Sequence, residues 1–318
     1  MKAFVTAVAV VAVAVIIAVG FAYYTYRVGF YAKEKKKVVP DPLAHRPLPP
    51  EGDPKREEAE FVRGLISELI SRPFEPAEIR STLDGTKLYA RFYNVKEGAP
   101  IIIECHGYRG HPMIDTSGGN RFARENGYNT LVIDERAHGL SGGNTITFGV
   151  KERYDVRDWA YYCAEKYPGT PIVLAGVSMG AATVLMVSEM ELPPEVRCIC
   201  ADAPYSSQKK IIEKTIKEMH IPPKIAYPFT VLGAKIFGKF DLNARTPLQA
   251  VANAKLPILL IHGEADGFVP CYMSIELNEA IASEHEFYTF PDAGHVMSYI
   301  ADHERYEKLT KAFLAKHI

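Results

Sequence analysis

The sequence predicts an α/β protein: a mostly parallel, doubly wound sheet with a helical cap insertion and an N-terminal transmembrane helix. Three observations predict it. Short apolar runs alternate with helical patterns from Glu78 to the C-terminus, the arrangement that gives parallel strands covered on both faces. That alternation breaks once, over Tyr205–Ala254, a span longer than ordinary loops. And Ala3–Tyr26 carries no charged side chain.

The apolar core of the first segment is Phe4–Ala22. At about 1.5 Å per residue it spans a bilayer core of about 30 Å. Tyr23, Tyr24 and Tyr26 follow, where amphipathic rings favour the membrane interface. Gly20-Phe21-Ala22 also reads as a small-x-small cleavage site, so a cleaved signal peptide is the rival; length and the aromatic end favour a retained single-pass anchor over residues 1–27. Arg27, Lys33, Lys35, Lys36 and Lys37 on the C-terminal side outnumber Lys2, so the positive-inside rule assigns the following domain to the cytoplasm. Residues 28–54 read as a basic and Pro-rich linker, with Pro40, Pro42, Pro47, Pro49, Pro50 and Pro54 stiffening it. A globular domain is expected over 55–318.

Within it, Lys55–Ser71 reads as a helix, with Val62, Leu65, Ile66, Leu69 and Ile70 on one stripe and Glu57, Glu58 and Glu60 near its start. The acidic start favours docking on the domain over lying on the membrane, so 55–77 is taken as a docking segment. Ile79–Leu83 and Lys87–Val95, joined through Asp84-Gly85, read as a β-hairpin. Buried strands follow at Ile101–Glu104, Tyr128–Asp134, Pro171–Ala175, Val196–Ala201, Leu256–His262 and Glu286–Phe290, with helices between them and a closing helix over His303–Lys316. The insertion 205–254 holds an amphipathic stripe (Ile211, Ile212, Ile216), a Pro222-Pro223 break and an aromatic stretch, and reads as a cap over the C-terminal sheet edge.

Composition excludes some functions. Net charge is −1, so no electrostatic grip on nucleic acid is indicated. The five cysteines are irregularly spaced and form no disulfide framework. No metal-ligand spacing, P-loop or G-x-G-x-x-G occurs, so no metal or cofactor is expected.

The chemistry centres on Gly176-Val177-Ser178-Met179-Gly180, set between an apolar strand and a small-residue helix. This is the context of a nucleophile elbow, where flanking side chains must be minimal. Further motifs lie in order along the chain: His106-Gly107-Tyr108; Asp134-x-Arg136-Ala137-His138-Gly139-x-Ser141; Gly263-Glu264-Ala265-Asp266-Gly267-Phe268-Val269-Pro270; and Asp292-Ala293-Gly294-His295. With these, the chain from about Glu78 resembles an α/β-hydrolase, of the subgroup containing serine aminopeptidases, prolyl-oligopeptidase-type domains and small esterases. It departs from the D-x-R-G-H-G-x-S pattern in having Ala137 at the first glycine.

A serine hydroxyl needs a base, and the base needs a carboxylate to fix its tautomer. Ser178 as nucleophile, His295 as base and Asp266 as acid keep the order that this fold implies. The backbone N–H groups of Tyr108 and Met179 are the candidate oxyanion hole. Asp202, after the strand that follows the elbow, is the rival acid. His106, His138, His262, Asp134 and Asp292 read as loop-shaping residues. The expected activity is hydrolysis of a small-molecule carboxylic ester, or a related acyl bond, through an acyl-enzyme. Alternatives are a peptidase of the same fold and a non-catalytic membrane-tethered binding protein. Oligomeric state and natural substrate are open.

Overall fold

The computed structural model describes residues 1–32, 41–44 and 47–318. The basic run from Lys33 and the adjoining part of the Pro-rich linker fall outside the described residues.

The chain opens with α1 (Lys2–Gly29), which is long and apolar enough to cross a membrane by length and composition. Next comes α2 (Arg56–Ser71), whose Leu65, Ile66 and Leu69 are buried. The hairpin strands are β1 (Glu75–Arg80) and β2 (Lys87–Tyr93). Then follow β3 (Ile101–Cys105), α3 (Pro112–Asp115), α4 (Ser117–Glu125), β4 (Asn129–Asp134) and α5 (Glu152–Lys166). The elbow joins β5 (Ile172–Val177) to α6 (Met179–Val187), and β6 (Val196–Asp202) follows. The insertion folds as α7 (Gln208–Glu218), α8 (Pro223–Ile236) and the short α9 (Pro247–Val251). The chain closes with β7 (Ile258–Gly263), α10 (Tyr272–Ala280), β8 (His285–Phe290), α11 (Ser298–Ala301) and α12 (His303–His317).

The strands form one eight-stranded sheet in the order β1-β2-β4-β3-β5-β6-β7-β8. β1 and β2 are antiparallel to their neighbours, and the other pairings are parallel. Buried runs such as Ile101-Ile102-Ile103 and Leu131-Val132-Ile133 explain the parallel core, since both faces are covered by helices. The first hairpin strand is a correction to the sequence reading. It spans Glu75–Arg80, not Ile79–Leu83, and Pro76 is tolerated because β1 is an edge strand. Thr82 has left the ladder: its N–H donates to Asp158 Oδ2 at 2.7 Å and its hydroxyl to Oδ1 at 2.9 Å. α2 packs against α4, and its Glu68 pairs with Arg124.

The end of α1 is built into the cap. Ala22 and Phe30 are fully buried and Tyr26 nearly so, while the helix before them is almost wholly exposed. α1 crosses α8 closely: a Cβ on Gly233 would lie 2.3 Å from the Ala22 carbonyl oxygen. Thr25 Oγ1 donates to the Phe229 carbonyl at 3.1 Å, and Tyr26 Oη shares a 2.8 Å hydrogen bond with Thr145 Oγ1. Beyond the helix, Ile146 N–H donates to the Phe30 carbonyl and Ala32 N–H to the Asn144 carbonyl. Phe30 stacks edge-on against both Phe148 and Phe240.

Candidate active site

The strand–elbow–helix unit positions Ser178. Its backbone sits at φ 55, ψ −116, a region that non-glycine residues rarely enter. Packing enforces that conformation. A Cβ on Gly176 would lie 2.4 Å from the Gly180 carbonyl carbon, and one on Gly180 would lie 2.3 Å from the Cys105 carbonyl oxygen. The Ser178 N–H donates to the Asp202 carbonyl at 2.8 Å, which ties the elbow to β6. Ser178 itself is buried, 6% exposed.

The structure brings Ser178, His295 and Asp266 together. His295 Nε2 lies 2.9 Å from Ser178 Oγ, and His295 Nδ1 lies 2.7 Å from Asp266 Oδ2. Asp266 Oδ1 accepts the N–H groups of Phe268 and Val269, both at 2.8 Å. Burial works to raise the Asp266 carboxyl, but hydrogen bonds from His262 and His295, the charge of His295 and the Val269 N–H outweigh it. The carboxyl is held well below the usual carboxylate range. It is therefore an anion at neutral pH, suited to holding the imidazole in one tautomer with Nε2 facing the serine.

Asp202 stands apart from this chain. Its side chain accepts from Ser298 Oγ at 3.3 Å, and burial raises its carboxyl to about 6 against the pull of His262 and His295. His262 is fully buried beside Asp266, with Nδ1 2.6 Å from Ser274 Oγ and Nε2 2.8 Å from the Val269 carbonyl. It braces the loop that presents Asp266. His106 braces another: its Nε2 accepts the Glu135 N–H at 3.1 Å and its Nδ1 donates to the Gly107 carbonyl at 2.9 Å. Asp134 accepts from Arg91 at 2.6 Å and from the Leu140 N–H at 2.8 Å.

Met179 is the first residue of α6, so its N–H has no acceptor within the helix. The Gly107–Tyr108 loop lies against Ser178: a Cβ on Gly107 would be 3.4 Å from Ser178 Cβ and 3.8 Å from Oγ. Asp115 Oδ2 accepts the Gly107 N–H at 2.9 Å and fixes this loop from behind. The N-terminal helix holds it from the other side. Tyr108 Oη donates to the Gly29 carbonyl at 2.7 Å, and Arg109 donates to the carbonyls of Val28 at 2.9 Å and Tyr31 at 3.1 Å. Sequence reasoning missed Asp115 and this helix-end clamp. Its signal in the sequence is slight, since Tyr108 and Arg109 are far along the chain from Val28, Gly29 and Tyr31.

The Arg136 loop is anchored by a bidentate pair with Asp155, both bonds 2.7 Å, and a 2.9 Å bond to Asp84. Ala137, at the departure from the motif's glycine, sits at φ 64.

Two cavities meet at Ser178. One, about 350 Å³, follows the ends of β3, β5 and β6 and is bordered by Glu104, Asp115 and Asp202. Burial pushes the Glu104 carboxyl up to about 8 against the pull of Arg72. The other, about 250 Å³, lies beneath α7 and α8 and against the end of α1. Among the described residues no His, Cys, Asp or Glu cluster is arranged to hold a metal ion.

Comparison with known proteins finds hydrolases and proteins of the same fold. Residues 97–240 match the family described as serine aminopeptidase, S33; that span includes Tyr108 and Ser178 but ends before Asp266 and His295. The uncharacterized protein YqkD of Bacillus subtilis (strain 168) is 26% identical over 215 residues, covering 67% of this chain and 70% of that one. The Pyrococcus furiosus esterase Pf2001 superposes with a TM-score of 0.64 at 26% identity, covering 79% of this chain and 93% of the esterase. Est1E from Butyrivibrio proteoclasticus, solved with ferulic acid bound, shares the fold with a TM-score of 0.57 at 19% identity, covering 76% of this chain and 98% of Est1E. The chain is an α/β-hydrolase related to esterases.

Proposed function

We propose that the protein is a membrane-anchored serine esterase acting through Ser178, His295 and Asp266. The observation that carries the reading is the continuous hydrogen-bonded chain from Ser178 Oγ through the imidazole to the Asp266 carboxylate, at 2.9 and 2.7 Å. His295 Nε2 takes the serine proton as Oγ attacks the ester carbonyl, and Asp266 stabilises the imidazolium that forms. The Met179 and Tyr108 N–H groups receive the oxyanion, a contribution of roughly 10²–10³ in rate for each donor. Collapse returns the proton from His295 to the departing alkoxide and leaves an acyl-serine. Water, deprotonated by the same imidazole, then releases the acid and restores Ser178.

A retained anchor is supported by the packing at the end of α1. Cleavage after Ala22 would strip Phe21 and Ala22 from their contacts with α8. The basic residues after the helix favour a cytoplasmic domain.

The S33 description suggests a second reading, an aminopeptidase, because an acidic cavity borders Ser178 and suits a substrate ammonium. The raised Glu104 carboxyl weakens it, since that group is neutral at pH 7.

The test is a panel of p-nitrophenyl esters and amino-acid arylamides, with a fluorophosphonate probe, on the full chain in detergent. Ester turnover and labelling, both lost in Ser178→Ala, are expected. Arylamide turnover exceeding ester turnover would favour the peptidase. Neither turnover nor labelling in the wild type would overturn both readings in favour of a tethered binding protein.

A further inference from the structure

The second cavity at Ser178 is walled in part by the membrane helix itself. Phe21, Tyr24 and Val28 of α1 line it together with Ile212 and Ile216 of α7 and Met219 just after it. Its hydroxyls are almost all consumed by backbone carbonyls. Thr25 donates to Ala22 and Phe229, Thr215 to Ile211, Thr230 to Ala226, Tyr205 to Phe148 and Tyr108 to Gly29. Among the described residues lining the interior, each of these hydroxyl protons is thus already given to a backbone carbonyl, and Ser178 Oγ at the inner end is bonded to His295 Nε2. Its mouth is rimmed by exposed apolar side chains, Tyr24, Val28, Met219 and Phe268. Ile225 and Ile236 of α8 extend that exposed apolar surface alongside α1. Along the helix, Tyr24–Val28 lie about 3–9 Å beyond Ala22, where the uninterrupted apolar run ends. The mouth thus sits at headgroup depth when the apolar run fills the hydrocarbon core.

We propose that this cavity is the acyl-chain site for a bilayer-resident fatty ester, and that α1 is a wall of that site as well as an anchor. This rests on the esterase reading above. An aliphatic chain matches this mostly apolar lining, whereas a polar acyl group would find few partners there. The cavity, about 250 Å³, has room for an aliphatic chain. The polar cavity on the opposite side of Ser178 is left for the alcohol. The substrate reaches the serine from the membrane along the α1–α7 cleft, acyl chain first.

The test measures kcat/KM for p-nitrophenyl esters from acetyl to dodecanoyl, and for a cinnamoyl ester, on the full chain. Wild type and Val28→Trp are compared, with Met219→Trp as a second filling of the mouth. In wild type, kcat/KM rises about fourfold per methylene until the cavity is filled. Either tryptophan lowers the octanoyl-to-acetyl ratio at least tenfold. With the protein in phosphatidylcholine vesicles, a fluorogenic long-chain ester is cleaved faster when it shares the protein's vesicles than when supplied in others. A flat chain-length series, preference for the cinnamoyl ester, an unchanged ratio in both variants, or equal rates from the two vesicle populations would overturn the proposal while leaving the esterase reading intact. Absence of both ester turnover and fluorophosphonate labelling would overturn the esterase reading, and this proposal with it.

Discussion

On one side of Ser178 the cavity is bordered by the ends of β3, β5 and β6, and on the other by α1, α7 and α8. The sheet side carries carboxyls held in opposite states: Asp266 is kept ionised by hydrogen bonds, whereas Glu104 is kept protonated by burial. Among the described residues, the helical side carries no ionisable side chain except the Tyr108, Tyr205 and Tyr24 phenols. The difference separates two jobs. Strand ends fix polar groups to within hydrogen-bond tolerance, because neighbouring strands lock their backbone. Helices from the insertion and the N-terminal segment supply apolar area, whose energetics depend on burial and tolerate small shifts in position.

That contrast breaks in graded ways. Asp266→Asn should act hardest, lowering kcat by about 10⁴ through loss of the tautomer and of imidazolium stabilisation, read by steady-state ester hydrolysis. Phe30→Ala tests the helical side. It removes a fully buried ring between Phe148 and Phe240 and should cost about 3–5 kcal/mol in unfolding free energy, measured by denaturant titration in detergent. A loss below about 1 kcal/mol would mean that the end of α1 is only loosely seated.

The two carboxyls give opposite pH dependences. Asp266 has a depressed folded-state pKa, so its contribution to stability is present above its unfolded value of about 3.9 and is lost as pH falls below it. Glu104 has a raised one, so its contribution is full below about 4.3 and is lost as pH rises towards 8. Glu104→Gln should therefore flatten the decline in stability between pH 5 and 8, by up to about 1.4 kcal/mol per pH unit. Identical slopes in wild type and variant would show that Glu104 is ionised throughout. The smallest effect expected is at Ala137. Relieving its left-handed backbone with Ala137→Gly should stabilise the protein by roughly 1 kcal/mol or less, since the added glycine also loosens the unfolded chain.

The sheet side was legible in the sequence because its signals are local. Gly176 and Gly180 bracket Ser178 within five residues, and the reason for both is steric contact with the Gly180 and Cys105 backbone. Asp266 and His295 each follow a strand whose apolar run marks it, so their position at the C-terminal sheet edge follows from topology. The helical side was legible only as composition. The apolar run of α1 announced a helix long enough to cross a membrane, and the stripe on α7 announced a buried face. That Ala22 meets Gly233, or that Tyr108 donates to Gly29, depends on contacts between distant segments that no periodicity encodes. The hairpin shows the same limit at short range: Asp84-Gly85 announced the turn, but Thr82 leaves the strand to bond Asp158 on α5, which only the fold brings near.

The central claim, that Ser178 becomes acylated with His295 and Asp266 as its base and orienter, is tested most directly by trapping the intermediate. The full chain is mixed with excess p-nitrophenyl octanoate, quenched in acid within milliseconds to seconds, and digested for peptide mass analysis. A burst of p-nitrophenol approaching one per protein and an octanoyl group on the peptide containing Ser178 are expected, with both absent in Ser178→Ala and the burst slowed by about 10⁴ in Asp266→Asn. An octanoyl group on a different residue, or turnover that persists undiminished in Ser178→Ala, would contradict it.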